Sequence, residues 1–182
     1  MERYDLKIFM TAFMLWISQH TGYTIPELPI VVELTPFELK RFAYGCDETP
    51  IPNGNEDICS VEEYWDLDEW ERENIPLGLY DHYEQRIVLR KGFDIDTIHD
   101  QSVLFHELVH HMQFNNGVYE TVKCNGELEK LAYHLQDKWL QEKYNVTIHE
   151  VIGINELFLM LITECHDADH RFMPDPEYQN QN

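Results

Sequence analysis

Residues 102–114, SVLFHELVHHMQF, place His106 and His110 four apart, with Glu107 beside the first. On a helix, positions i and i+4 share one face a turn apart, so the two imidazoles can converge on one ion. Glu107 falls on the flank of that pair. From there a carboxylate reaches a water at the ion without competing for the ion, which is the position of a general base. The neighbouring Val103, Leu104, Leu108 and Val109 are apolar, so the helix is buried. Burying two imidazoles and a carboxylate is costly unless they have partners. With ten histidines in the chain, HExxH alone arises readily by chance. Its apolar frame, its mid-helix position and a strand ending RIVL just before it mark this match as a metal site.

A catalytic zinc site takes three protein ligands and keeps one position open. Downstream of the motif the candidates are Cys124, Glu127, Glu129, His134 and Glu164. In the helix predicted over 125–145, Leu128, Leu131, Leu135 and Trp139 form one apolar stripe. Glu129, Ala132, Tyr133 and Gln136 form the adjoining one, and Ala132 is small enough for close approach to another helix. Glu129 opens an ExxA sequence and is the expected third ligand, with Glu127 as the alternative. The metzincin continuation is excluded, because HMQFNNGVYE lacks the required glycine and histidine; the reversed HxxEH is absent too. His111 lies on another face, in a capping or supporting role. His99 is two turns from His106, about 10 Å by helix rise, too far to share the ion. Gln113 follows His110 by one turn and is expected either to hydrogen-bond behind the ligands or to face solvent. Tyr119, Tyr133, His134 and His149 are the candidate donors to a developing oxyanion.

Periodicity and turn residues predict helices at 3–20, 35–45, about 96–115, 125–145 and 149–166. They predict a strand at 28–34, a hairpin over 78–94 with strands near Leu79–Tyr80 and Ile87–Leu89, a loop over 46–60 and an acidic helix at 61–73. The expectation is an α+β fold, mostly helical, as one domain over 1–172 with a frayed tail at 173–182.

Acidic residues outnumber basic ones 34 to 13, for a formal net charge of -21. Nucleic acid and anionic membrane surfaces are therefore excluded as partners, since both are bound by clustered Lys and Arg. Residues 46–81 carry twelve acidic side chains against Arg72 alone, a solvated face that would favour basic peptides. The apolar residues of MERYDLKIFMTAFMLWISQHTGY are interrupted by Asp5, Lys7 and Thr11, and no small-residue cleavage site follows. That reads as an amphipathic helix rather than a signal peptide, and no run approaches the 18 apolar residues of a membrane span. The expected location is the cytoplasm. Cys46, Cys59, Cys124 and Cys165 form no CxxC pair, so a cysteine zinc ribbon is not expected. Cys46 and Cys59 flank one loop and would bridge in an oxidising compartment, but a cytoplasmic chain favours free thiols.

GLYD and RIVL, then SVLFHELVHHMQ, then CNGELEKLAYHLQDKWL together resemble small predicted zinc metallopeptidases of the gluzincin type, bacterial and phage-borne, over residues 12–166. The resemblance implies a minimal zincin-like fold, Zn2+ held by His106, His110 and Glu129, Glu107 as general base, and a peptide or protein substrate. The strand at Ile87–Leu89 is expected to hold an extended peptide by strand addition. The competing readings are a zinc amidase or cell-wall peptide hydrolase, and a zinc-binding regulator without turnover. Glu107 favours chemistry, because a purely structural metal site has no use for a carboxylate there.

Overall fold

The computed structural model describes residues 3–46, 59 and 76–165, with side chains from residue 6 onward. The loop expected over 46–60 (apart from Cys46 and Cys59), the acidic helix at 61–73 and the tail at 173–182 lie outside the described residues. The architecture is α+β, with a small three-stranded sheet and a larger helical part.

Helix α1 spans Arg3–Thr21, strand β1 Ile30–Leu34 and helix α2 Pro36–Ala43. Thr35 caps α2 in a reciprocal capping box with Glu38, and Pro36 occupies its first turn, which satisfies backbone N–H groups that lack helical partners. Strands β2 (Gly78–Asp81) and β3 (Arg86–Arg90) form the expected hairpin. Helix α3 spans Ile98–Asn115, starting from Thr97, whose hydroxyl accepts the Asp100 N–H. A 3-10 turn at Val118–Glu120 leads to α4, Asn125–Tyr144.

The helix expected over 149–166 is two helices, α5 (Ile148–Ile152) and α6 (Glu156–Thr163). Gly153 ends α5 at a φ of 77°, a left-handed conformation that glycine adopts without Cβ strain, and Asn155 caps α6 through Phe158 N–H. Both break signals are present in the sequence, but the continuous apolar pattern masks them.

The strand order is β1-β3-β2, with β1 parallel to β3 and β2 antiparallel to it. This corrects the expected peptide-holding strand. Ile87–Leu89 lies in the central strand, and its backbone is paired on both sides. Among the described residues the two edges belong to β1 and β2, and the β2 edge is the one beside Glu107. Arg90 N–H donates to Leu77 carbonyl oxygen at 3.1 Å, which sets the ladder phase: Leu79 and Asp81 bond towards β3, while the backbones of Gly78 and Tyr80 point outward.

Helix α3 is buried from Gln101 to Gln113 and runs through the centre of the molecule. Met10, Phe13, Met14 and Ile17 of α1 cover it on one side, Ile87 and Leu89 of β3 on another, and Leu135, Trp139 and Leu140 of α4 on a third. Phe105 anchors this packing. It stacks on Trp139 with centroids 5.0 Å apart and meets Phe13 edge-on at 5.6 Å.

The cysteines are paired, Cys46 with Cys59 and Cys124 with Cys165, which corrects the expectation of free thiols. That expectation followed from an assumed compartment. It could not register that α6 folds back on the start of α4 and joins residues 41 apart in sequence. Among the described residues, no helix is long and apolar enough to cross a membrane.

Phe105→Ala should lower unfolding stability by about 3–5 kcal/mol through the cavity it leaves. In urea titration the midpoint should fall with little change of slope.

Candidate metal centre

His106, His110 and Glu129 meet at the floor of a cleft of about 880 Å³. Helix α3 supplies both imidazoles, and α4 crosses it closely enough, over the fully buried Ala132, to bring in the carboxylate. The two Nε2 atoms are 3.0 Å apart. Glu129 places one oxygen 3.2 Å from His106 Nε2 and the other 3.3 Å from His110 Nε2.

A glutamine lies behind each histidine. His106 Nδ1 is 3.0 Å from Gln136 Oε1, and His110 Nδ1 is 2.9 Å from Gln113 Oε1. The amide nitrogens of both glutamines are already used as donors. Gln136 donates to Ser102 O and Oγ, at 3.0 and 2.8 Å, and Gln113 to Leu128 O, at 2.9 Å. Each glutamine therefore offers only its oxygen, so both histidines donate from Nδ1. Their Nε2 lone pairs then face each other across 3.0 Å, beside an anionic oxygen. Only a cation relieves that arrangement.

Zinc fits this donor set. Bonds of about 2.0–2.1 Å at tetrahedral angles put neighbouring donors about 3.3 Å apart. The two imidazole nitrogens are 3.0 Å apart, each has a different Glu129 oxygen at 3.2 or 3.3 Å, and one ligand atom from each residue can be chosen so that all lie within 4.8 Å of one another, close enough to converge on one ion. In the metal-free protein a proton takes the cation's part. Burial works against a charged His110, but Glu129 outweighs it, with help from Glu107 and Gln113, and pushes His110 up to about 9. Burial also acts to raise the Glu129 carboxyl, yet His110 and His106 hold it well below the ordinary range.

Glu107 is buried beside the cluster and outside it. Burial pushes its carboxyl up; His106, His110 and the Tyr80 backbone N–H offset this only in part. The Tyr80 bond comes from the open edge of β2, which passes directly over Glu107. At Gly78 a Cβ would lie 3.2 Å from Glu107 Cγ and 2.9 Å from Val103 Cγ1, so this close approach requires glycine. His111 braces the same strand. Its Nε2 donates to Glu27 carbonyl oxygen at 2.9 Å, which leaves Nδ1 to accept from Tyr80 hydroxyl at 3.2 Å. That is the supporting role expected of it.

The remaining candidates separate clearly. Tyr119 and Tyr133 line the cleft, and the Tyr133 ring lies 4.4 Å from that of His106. Burial first, then Glu129, raises both phenols far above their ordinary range, so both stay protonated donors. His134 borders a separate small cavity behind α4, together with His149, whose ring bonds to Ile154 carbonyl oxygen. Neither lines the cleft. Glu127 turns back to accept Lys123 N–H at 3.0 Å, Cys124 is in a disulfide, and Glu164 is outside the cluster. His99 pairs with Asp100 at the far end of the cleft. Gln113 is fully buried and takes the first of its two expected roles. The supporting role of Gln136 was missed, although it follows Glu129 by two turns on the same stripe, as did the hold of β2 on Glu107.

Gln136→Leu should weaken zinc binding by roughly 10–100-fold, read by chelator competition, with the fold retained. Below about 9 His110 carries a proton that zinc must expel. Zinc uptake near neutral pH should therefore release about one proton, and affinity should fall about tenfold per pH unit lost. Calorimetry in buffers of different ionisation enthalpy measures both.

No curated protein and no solved structure matches the chain. A family model described as a domain of unknown function, DUF6647, matches residues 58–175, a span that includes β2, β3, α3, α4 and every residue of the metal centre. The chain belongs to the DUF6647 family.

Proposed function

We propose that the protein is a zinc-dependent metallopeptidase of the gluzincin type with a zincin-like fold. His106, His110 and Glu129 hold Zn2+, and Glu107 is the general base. The observation that carries this reading is the pair of opposed Nε2 lone pairs 3.0 Å apart, each with an oxygen of the Glu129 carboxylate beside it, and with Glu107 next to them but outside the ligand set.

Bound zinc supplies Lewis acidity, acidifying a water and polarising a carbonyl. The protein's own groups do the rest. Glu107, oriented by the Tyr80 N–H, takes a proton from the attacking water. It delivers that proton to the amide nitrogen as the C–N bond breaks. Tyr119 and Tyr133 donate hydrogen bonds to the oxygen on which negative charge develops. The outward N–H and C=O of Gly78, on the open edge of β2, take the backbone of an extended peptide and lay it past Glu107. A regulator without turnover would have no need to bury a carboxylate beside the ligands and orient it with a backbone donor.

Glu107→Gln should keep about one zinc per chain and lose roughly 10²–10⁴-fold in hydrolysis of quenched fluorescent peptides. His110→Ala should lose both metal and activity. A zinc-loaded wild type that cleaves nothing in a broad peptide library would sink the peptidase reading.

A further inference from the structure

The cleft has two walls of different construction. Helix α3 and strand β2 form one wall, and both are built into the core. The other is apolar and includes Phe158 and Ile162 of α6. No residue of α6 is buried, and Leu157, Phe158 and Met160 are 64%, 44% and 48% exposed. Among the described residues, Leu159 is the α6 side chain that packs against the core cluster. A helix with so little buried surface is poorly held by packing.

A covalent bond adds a second hold. Cys165, two residues beyond the end of α6, is joined to Cys124, the residue that caps α4. The chain between them passes tightly over α4. At Gly126 a Cβ would lie 2.7 Å from Glu164 carbonyl oxygen and 2.9 Å from its carbon. Cys124 is 1% exposed, whereas Cys165 is open to solvent.

We propose that the Cys124–Cys165 disulfide is a redox-sensitive strap that holds α6 in place as the apolar wall of the cleft. A dithiol attacks the accessible sulfur of Cys165, and Cys124 leaves as a thiolate that takes up a proton. The second thiol then closes on the mixed disulfide and releases Cys165. The dithiol ends as a cyclic disulfide, having supplied two electrons and two protons. The wall is released, but the ligands are not. His106 and His110 belong to α3, and Glu129 is carried by α4, whose Leu128, Ala132 and Leu135 are buried. The cleft is then complete only in oxidising surroundings. This inference concerns the cleft of the proposed peptidase, but its test does not depend on turnover.

The experiment is hydrogen exchange, read by mass spectrometry, on the full chain with and without dithiothreitol, with thiols counted by alkylation. Reduction should speed exchange in residues 156–163 by about tenfold or more and leave residues 103–113 unchanged. Cys165→Ser should reproduce this without reductant. The double variant Cys46→Ser/Cys59→Ser, which removes the other disulfide, should still respond to dithiothreitol in 156–163. Unchanged exchange in α6 after verified reduction overturns the proposal. So does exchange in α3 rising in step, because the bond would then support the whole fold. Free thiols at Cys124 and Cys165 in the oxidised protein overturn it as well.

Discussion

Two imidazole nitrogens with their lone pairs opposed at 3.0 Å are the constraint around which the rest of the molecule is organised. Such a contact persists only if something fixes both rings and something positive fills the gap. Gln113 and Gln136 do the first from opposite directions, one on the same helix as the histidines and one on the helix that crosses it. Each glutamine is held in turn by a main-chain carbonyl, Leu128 O for Gln113 and Ser102 O for Gln136. The His106–His110–Glu129 cluster is therefore also a cross-link between α3 and α4, made in both directions. A shift of either helix along its axis would break a histidine support and the Glu129 contacts together.

The same crossing explains where the core is. Helix α3 can carry four ionisable groups at its centre because its other faces are paid for by Phe105, Leu104, Leu108 and Met112, packed against α1, the sheet and α4. The small sheet adds little bulk, but it places an edge strand over Glu107. The Gly78 contact and the Tyr80 N–H connect β2 to Glu107. The strand that holds Glu107 thus also presents outward backbone groups at its edge, to which the proposed peptide substrate would add. In the proposed peptidase, substrate alignment and base orientation would depend on the same four residues.

Much of this was legible beforehand. Most helices and the hairpin followed from periodicity, and Thr35 and Pro36 act as their types predict, but the single helix expected over 149–166 is broken at Gly153. The divergences have specific physical causes. Strand order does not follow from strand propensity, so Ile87–Leu89 was assigned an edge role that belongs, beside Glu107, to β2. Gln136 is a polar residue on a helix stripe, and nothing local distinguishes a histidine support from a solvated side chain. The Cys124–Cys165 pair depends on α6 returning to α4, a contact between segments 41 residues apart.

By itself the sequence determined the chemistry on offer: HExxH on a buried helix, a carboxylate on the next, and their spacing along each helical face. These are local matters, governed by 3.6-residue periodicity and the cost of burying polar groups without partners. Tertiary structure alone decided which carboxylate closes the site, which nitrogen of each histidine faces it, which strand edge stays open and what walls the cleft. Each of those depends on how two segments distant in the chain meet, and a crossing of two helices is set by the packing of all their side chains at once rather than by any one stretch of residues.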